Sequence, residues 1–188
     1  MARRDTKGMF ADELEALMTR MPLSKVRVGD LCASCGVERR VFYYHFKDKY
    51  DLVAWMFERD YMAAADGHTP FSGGLYAEAH RLLWARREFY RRAFEEDSQN
   101  SIYRYLLQFS IEANEAVLKR YLGARTLSRA HAFEARHFAH SNVGCMVDWL
   151  RGYIDATPEQ LATHMFACLP ATLRKAYATG GLTGGGRS

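Results

Sequence analysis

Helix breakers are scarce in this chain, and that scarcity constrains its fold more than any other feature. Only 4 prolines occur in 188 residues, and glycine crowds into the last nine. Chains so poor in breakers suit long helices. Apolar residues recur throughout at spacings of three and four, the signature of helices with one buried face. No convincing strand pattern interrupts them, and the predicted architecture is all-α.

The first segment runs from about Thr6 to Met21, with Met9, Phe10, Leu14, Leu17 and Met18 forming its apolar stripe, and Pro22 stops it. Three compact segments follow: Gly29 to Cys35, Glu38 to Phe46, and Asp48 to about Ala65. Gly36 separates the first two, and glycine there supplies the left-handed conformation of a sharp interhelical turn. The stretch 66–74 collects Gly, Pro, Ser and Thr and reads as a linker. Beyond it, helical patterns cover Leu75 to Phe94, Ser101 to Tyr121 (with Gly123 as its stop), Ser128 to Ile154, and Pro158 to Tyr177. Thr157-Pro158-Glu159-Gln160 opens the last with a threonine cap, proline at the first helical position and glutamine at the capping-box position. These breaks divide the chain into 1–65, 66–178 and a glycine-rich tail, 179–188, expected to be disordered because it cannot bury apolar surface.

A hydrophobic fraction of 48% and a charged fraction of 26% are those of an ordinary soluble globule. The net charge of +4 and pI near 8.9 permit nucleic-acid binding through a local patch without requiring it. No apolar run approaches the ~18 residues of a membrane span. The N-terminus lacks the apolar stretch of a signal peptide. The expectation is a cytoplasmic protein whose 4 cysteines are reduced thiols.

The segment Glu38-Arg39-Arg40-Val41-Phe42-Tyr43-Tyr44-His45-Phe46 carries the functional signal. Phe42 and Phe46 lie four apart and are expected to face inward onto Leu31 and Cys35. Arg39 with Tyr43, and Arg40 with Tyr44, then line an outer face. Two arginines and two tyrosines on two exposed turns make a poor solvent face and a good DNA face. Arginine reaches guanine bidentately, and tyrosine hydroxyls reach phosphates.

Gly36-Val37, followed by Phe42-Tyr43-Tyr44-His45-Phe46-Lys47-Asp48-Lys49 and Leu52, resembles the motif that closes the DNA-binding domain of TetR-family regulators. The resemblance covers roughly residues 6–60. It implies an N-terminal three-helix helix-turn-helix domain joined by a long helix to a C-terminal helical domain for effector binding and dimerisation. Carried over by position, Arg39, Arg40 and Val41 fall where the family reads bases. Tyr43, His45 and Lys49 fall where it grips the phosphate backbone, with Tyr44 beside them on the exposed side. Two positions depart from the pattern. Arg27 stands where the second helix usually has a threonine or serine cap, and its charge can replace that phosphate contact. Glu38 opens the reading helix, where it suits the helix dipole but repels phosphate. Residues 36–49 carry a net charge of +2, four cations against Glu38 and Asp48.

The C-terminal part is similar to a narrower branch, regulators of dihydroxyacetone kinase operons, through Tyr50-Asp51-Leu52-Val53-Ala54-Trp55, Glu88-Phe89-Tyr90, Phe94, Gln99-Asn100-Ser101, Asp148-Trp149-Leu150 and Pro158-Glu159-Gln160-Leu161.

Other conspicuous residues have plainer readings. Cys32-x-x-Cys35 has no second pair to complete a zinc site, so core packing is expected. His131, His137 and His140 share one helix without a partner carboxylate or cysteine at ligand spacing; His137 or His140 is placed to orient a small ligand. Of Trp84, Phe89, Tyr90, Phe94, Tyr103, Tyr105, Phe109, Phe133, Phe138 and Trp149, about a third are expected to line an effector pocket in such a fold. Arg86-Arg87 and Arg91-Arg92 read as a solvated basic face. Val143, Met146, Val147 and Leu150, with Leu161, Met165 and Leu169, form stripes on the last two predicted helices and are assigned to core and dimer seam together.

These readings predict a DNA-binding transcription regulator, a ligand-responsive repressor acting as a homodimer on an inverted-repeat operator. Its partners are double-stranded DNA, a second copy of the chain and an unidentified small molecule. No catalytic residue, metal site, cofactor or membrane contact is expected. The Arg27 and Glu38 departures motivate the alternative, a TetR-like co-regulator that acts through protein contacts with little DNA binding of its own.

Overall fold

The computed structural model describes residues 5–64, 73–95 and 102–180. Among them every regular element is helical. The first, α1 (Thr6–Met18), starts at Asp5, whose carboxylate accepts the Gly8 N–H at 3.0 Å. Phe10, Leu14 and Met18 bury its inner stripe. It stops three residues short of the expected Met21, because the Met18 and Thr19 carbonyls accept bonds from the Arg92 guanidinium at 2.7 and 3.0 Å. The connection after Pro22 contains a 3₁₀ turn, Leu23–Lys25, too short for periodicity to reveal.

The next helices follow the sequence expectations within one or two residues: α2 (Val28–Ser34), α3 (Arg39–His45) and α4 (Lys49–Ala63). Gly36 adopts φ +67° in the turn between α2 and α3, and Val37 N–H reaches back to the Cys32 carbonyl at 3.0 Å. Asp48 caps α4, accepting the Tyr50 and Asp51 N–H groups at 2.9 Å each.

The C-terminal part comprises α5 (Gly73–Ala85), α6 (Arg87–Phe94), α7 (Ile102–Leu122), α8 (Arg129–Arg151), α9 (Pro158–Ala167) and α10 (Ala171–Gly180). Two expected helices are each divided. The Leu75–Phe94 segment breaks at Arg86, whose backbone leaves the helical region (φ −113°, ψ 26°). The Pro158–Tyr177 segment breaks at Pro170, which has no N–H to continue the ladder and a ring that crowds the preceding turn. Ser128 caps α8, Gly152 closes it at φ +88°, and the Thr157–Gln160 capping box opens α9 as anticipated. The expected linker lies outside the described residues except for Gly73 and Gly74, which begin α5. So does the expected disordered tail, except for Thr179 and Gly180, which end α10 and are helical.

In the body of the molecule α7 packs on α8 and α10, while α5 lies between α4 and α9. Trp84 and Trp149 stack at its centre with ring centroids 4.6 Å apart, and the buried Trp149 indole donates to the Ala156 carbonyl at 2.8 Å. Cys32 packs in the core and Cys35 beside it, and burial raises both thiol pKa values. No helix is long and apolar enough to cross a membrane among the described residues.

Left-handed backbone at Gly36 costs a side-chain-bearing residue roughly 1–2 kcal/mol, so Gly36→Ala is expected to lower unfolding free energy by about that amount in urea titrations. No Cβ contact opposes the substitution, because nothing lies within 4 Å of the position a Cβ would take.

Candidate nucleic-acid interface and ligand cavity

The rotation of α3 about its axis is set by two aromatic anchors. Phe42 is fully buried and Phe46 nearly so, with ring centroids 5.2 and 6.4 Å from Phe10 of α1. Edge-to-face aromatic packing of this kind is directional and holds a short helix in one orientation. The opposite side of α3 therefore faces solvent. Tyr44 is 84% exposed and Tyr43 57% exposed. The Arg40 guanidinium pairs with the Glu38 carboxylate at 3.0 Å, both largely exposed. Arg39 leans back across α2, where a Cβ at Gly29 would collide with its guanidinium, so Gly29 makes room for it. Arg27 sits exposed at the start of α2 and forms no side-chain cap. Val41 and His45 are half-buried; Val41 packs against the core and offers the least surface of the three expected base-reading residues.

Lys49, expected at the phosphate backbone, has a structural task within the chain. Its ammonium donates to the carbonyls of Leu23, Ser24 and Val26 at 2.7, 2.7 and 3.0 Å. An ammonium has three N–H donors, and three backbone carbonyls take them. Lys49 thus ties the start of α4 to the 3₁₀ turn.

A second set of charges joins these helices to the body. Arg86 donates to Glu15 of α1 at 2.5 Å and also to Asp60 of α4. Asp60 in addition accepts the Tyr90 hydroxyl at 2.7 Å and Arg59 at 3.0 Å. Arg92 covers the end of α1, while Arg87 donates to the Leu150 carbonyl at 3.0 Å and stacks on Trp84. The expected solvated basic face is therefore a clamp between elements, a role that depends on partners up to 74 residues away in sequence.

A cavity of about 90 Å³ lies between α4, α5, α7, α8 and α10. Phe57, Tyr61, Phe109 and Phe138 supply aromatic walls. Tyr76 donates to Asn142 Oδ1, and Tyr177 donates to Asn114 Oδ1 at 2.6 Å. Burial raises the pKa of Tyr61, Tyr76 and Tyr177, keeping these phenols neutral. His80 also lines the cavity, 2% exposed, and burial lowers its pKa. Of the ten aromatics considered from sequence, Phe109 and Phe138 line this space.

Comparison with known proteins gives the arrangement its context. The family description "Bacterial regulatory proteins, tetR family" matches residues 12–56, which carry the helix-turn-helix, and "Transcriptional regulator C-terminal region" matches residues 80–170. The chain belongs to the TetR family of transcriptional regulators. Among solved structures, the "Dihydroxyacetone kinase operon activator DhaS" is 17% identical, covers 92% of this chain and 98% of its own, and has a TM-score of 0.61. That likeness is one of fold. A tetR-family transcriptional regulator from Streptomyces coelicolor is 14% identical, covers 95% of this chain and 90% of its own, and has a TM-score of 0.49. No curated protein sequence matches the chain significantly.

The residues expected to serve core and dimer seam together are deeply buried in the single chain. Val143, Met146, Val147, Leu150, Leu161, Met165 and Leu169 are 0–6% exposed within a single chain. They form monomer core, the first of the two roles expected of them. The outward side of α8 instead carries Phe133 (68% exposed), with His137 stacked on it at 5.8 Å, followed by His140, Ser141 and Asp148. His137 and His140 therefore face outward, and neither lines the cavity. Its histidine is His80, three to four residues from the apolar positions Tyr76, Ala77 and Leu83 on the buried side of α5. That spacing is the only signal in the sequence that could have singled it out.

Replacing Lys49 with methionine keeps most of the side-chain stem and orphans three carbonyls. The variant is expected to lose about 1–3 kcal/mol of stability. Chemical denaturation measures this, and an unchanged midpoint would show the clasp to be ornamental.

Proposed function

We propose that this TetR-family protein is a ligand-responsive DNA-binding regulator acting as a homodimer on an inverted repeat. The observation that carries the reading is the outward face of α3, where Arg39, Arg40, Tyr43 and Tyr44 all stand in solvent on a helix anchored by Phe42 and Phe46. Arg39 and Arg40 read bases, with Val41 contributing an edge contact. Arg27, Tyr43, Tyr44 and His45 hold the phosphate backbone. Lys49 supports that surface from behind. Repression is the simplest outcome, because a dimer seated in two successive major grooves excludes other proteins from the same DNA. We assign residues 1–65 to DNA binding, and 66–178 to effector binding and dimerisation.

The second copy docks on the exposed side of α8. Phe133 is a large apolar side chain left in solvent, and His137, His140, Ser141 and Asp148 follow it along the exposed side of α8.

The cavity is the effector site. Phe57 and Tyr61 in its wall belong to α4, which also carries Asp60 of the clamp. A ligand that repositions α4 therefore acts on α1 through Arg86 and biases the spacing of the two reading helices.

A rival reading is favoured by Glu38, an exposed carboxylate at the start of α3: a co-regulator that works through protein contacts. Arg40 offsets that charge. Titration of the full chain with duplexes from the DNA upstream of its gene separates the two readings. Arg40→Ala is expected to cost about 1–3 kcal/mol on the specific duplex and to relax preference at one base pair. Tyr44→Ala should weaken specific and scrambled duplexes alike. No wild-type binding to any duplex at moderate salt would favour the co-regulator. In sedimentation, Phe133→Asp is expected to give folded monomers, whereas Val143→Glu should unfold the chain because it buries a charge in the core. A Phe133→Asp protein that remains dimeric would rule out the α8 face.

A further inference from the structure

His80 gives the cavity a chemical preference. Its Nδ1 lies 2.6 Å from the carbonyl oxygen of Tyr76, one turn back on α5. A carbonyl only accepts, so Nδ1 carries the proton. Burial disfavours the imidazolium and lowers the pKa of the ring. In the neutral ring the second nitrogen, Nε2, is then an acceptor with an unshared pair. Nε2 is buried and has no hydrogen-bond partner among the described residues. A buried acceptor left without a donor is costly, and His80 is one of the side chains that line the cavity, so a ligand that brings a donor within reach of this atom is favoured.

Several of the other polar groups of the wall are already engaged. The Tyr76 hydroxyl is spent on Asn142, the Tyr177 hydroxyl on Asn114 Oδ1, and Asn114 Nδ2 on the Ala135 carbonyl at 3.1 Å. Among the described residues lining the cavity there is no Asp, Glu, Lys or Arg. An ionised ligand would have to leave water for a wall without a counter-charge, which is strongly disfavoured. The aromatic walls in turn favour a flat, apolar body.

We propose that the cavity takes an uncharged, mainly apolar ring compound bearing a hydroxyl, of the phenol class, and that this hydroxyl donates to His80 Nε2. The proposal rests on reading the cavity as the effector site and adds to it the chemistry of the ligand. His80 is the specificity residue: a site with a buried acceptor rejects analogues that lack the matching donor, because the acceptor is then left unpaired. The His80 ring also lies 5.7 Å from Trp149, so occupancy is expected to change tryptophan emission.

The test uses the full chain at pH 7.5 and three probes of one shape: 2-naphthol, 2-methoxynaphthalene and 2-naphthoate. Calorimetry and tryptophan fluorescence give the affinities. The expected order is 2-naphthol tighter than 2-methoxynaphthalene by about tenfold, the size of one net hydrogen bond, with 2-naphthoate weakest. In His80→Phe the preference for naphthol over its methyl ether should fall to within about twofold. His80→Gln, which retains an acceptor, should keep part of it. Circular dichroism checks that both variants are folded, and the wild-type ranking stands as a test if either is not. Equal affinity for 2-naphthol and its methyl ether, preference for the carboxylate, or binding of none of the three would overturn the proposal. DNA titrations with saturating 2-naphthol separate the two levels. Binding in the expected order with unchanged DNA affinity upholds the ligand class and removes the effector role.

Discussion

The ion pairs of Arg86 with Glu15 and Asp60 hold the reading helices to the rest of the molecule. The Arg86 side chain is 18% exposed and that of Asp60 11%, so neither charge is well solvated and each depends on the other. Half-buried charges of this kind are costly when orphaned and tolerable when paired. Three consequences follow from that one constraint. The helix that would otherwise continue from α5 breaks at Arg86. The end of α1 is drawn under α6, where Arg92 takes its last carbonyls. And α4, which starts on the Lys49 clasp, is fixed beside the cavity at its far end.

That placement gives α4 two faces with different duties. Leu52, Val53 and Met56 bury it against the core beneath the reading helix, while Phe57 and Tyr61 look into the cavity. Asp60 sits between those cavity residues and binds the clamp. The proposed coupling between ligand and DNA needs no longer path than this one helix. Packed cores shift between discrete arrangements rather than deform smoothly, so a small displacement of α4 can be passed intact to α1 and α3.

The exposed face of α3 is legible in the sequence because its determinants are local. Phe42 and Phe46 are one turn apart, and Gly36 marks the turn that precedes them, so periodicity alone points Arg40 and Tyr44 outward. The clasp made by Lys49 is not legible in the sequence, because its partners lie 23 to 26 residues earlier, beyond any helical period. The break at Arg86 was invisible for the same reason: nothing in its neighbours disfavours helix, and the distant carboxylates win. Pro170 is different, since the breaker was in plain sight and the apolar stripe running past it hid its effect. The stripes of α8 and α9 were correctly seen as apolar, yet periodicity cannot say whether a buried face meets its own chain or a second copy. His80 was passed over because a histidine on an apolar face looks like any satisfied core residue until its second nitrogen is found without a partner.

Hydrogen exchange on α1 tests the account most directly, through Arg86→Met in the full chain, followed by mass spectrometry. If the clamp holds the reading helices to the body, amides of α1 from Phe10 to Met18 and of the second half of α4 should exchange faster in the variant. Those of α7 and α8 should keep their protection. Unchanged exchange in α1, or a loss spread evenly over all helices, would contradict the clamp as the link between the cavity and the DNA-reading surface.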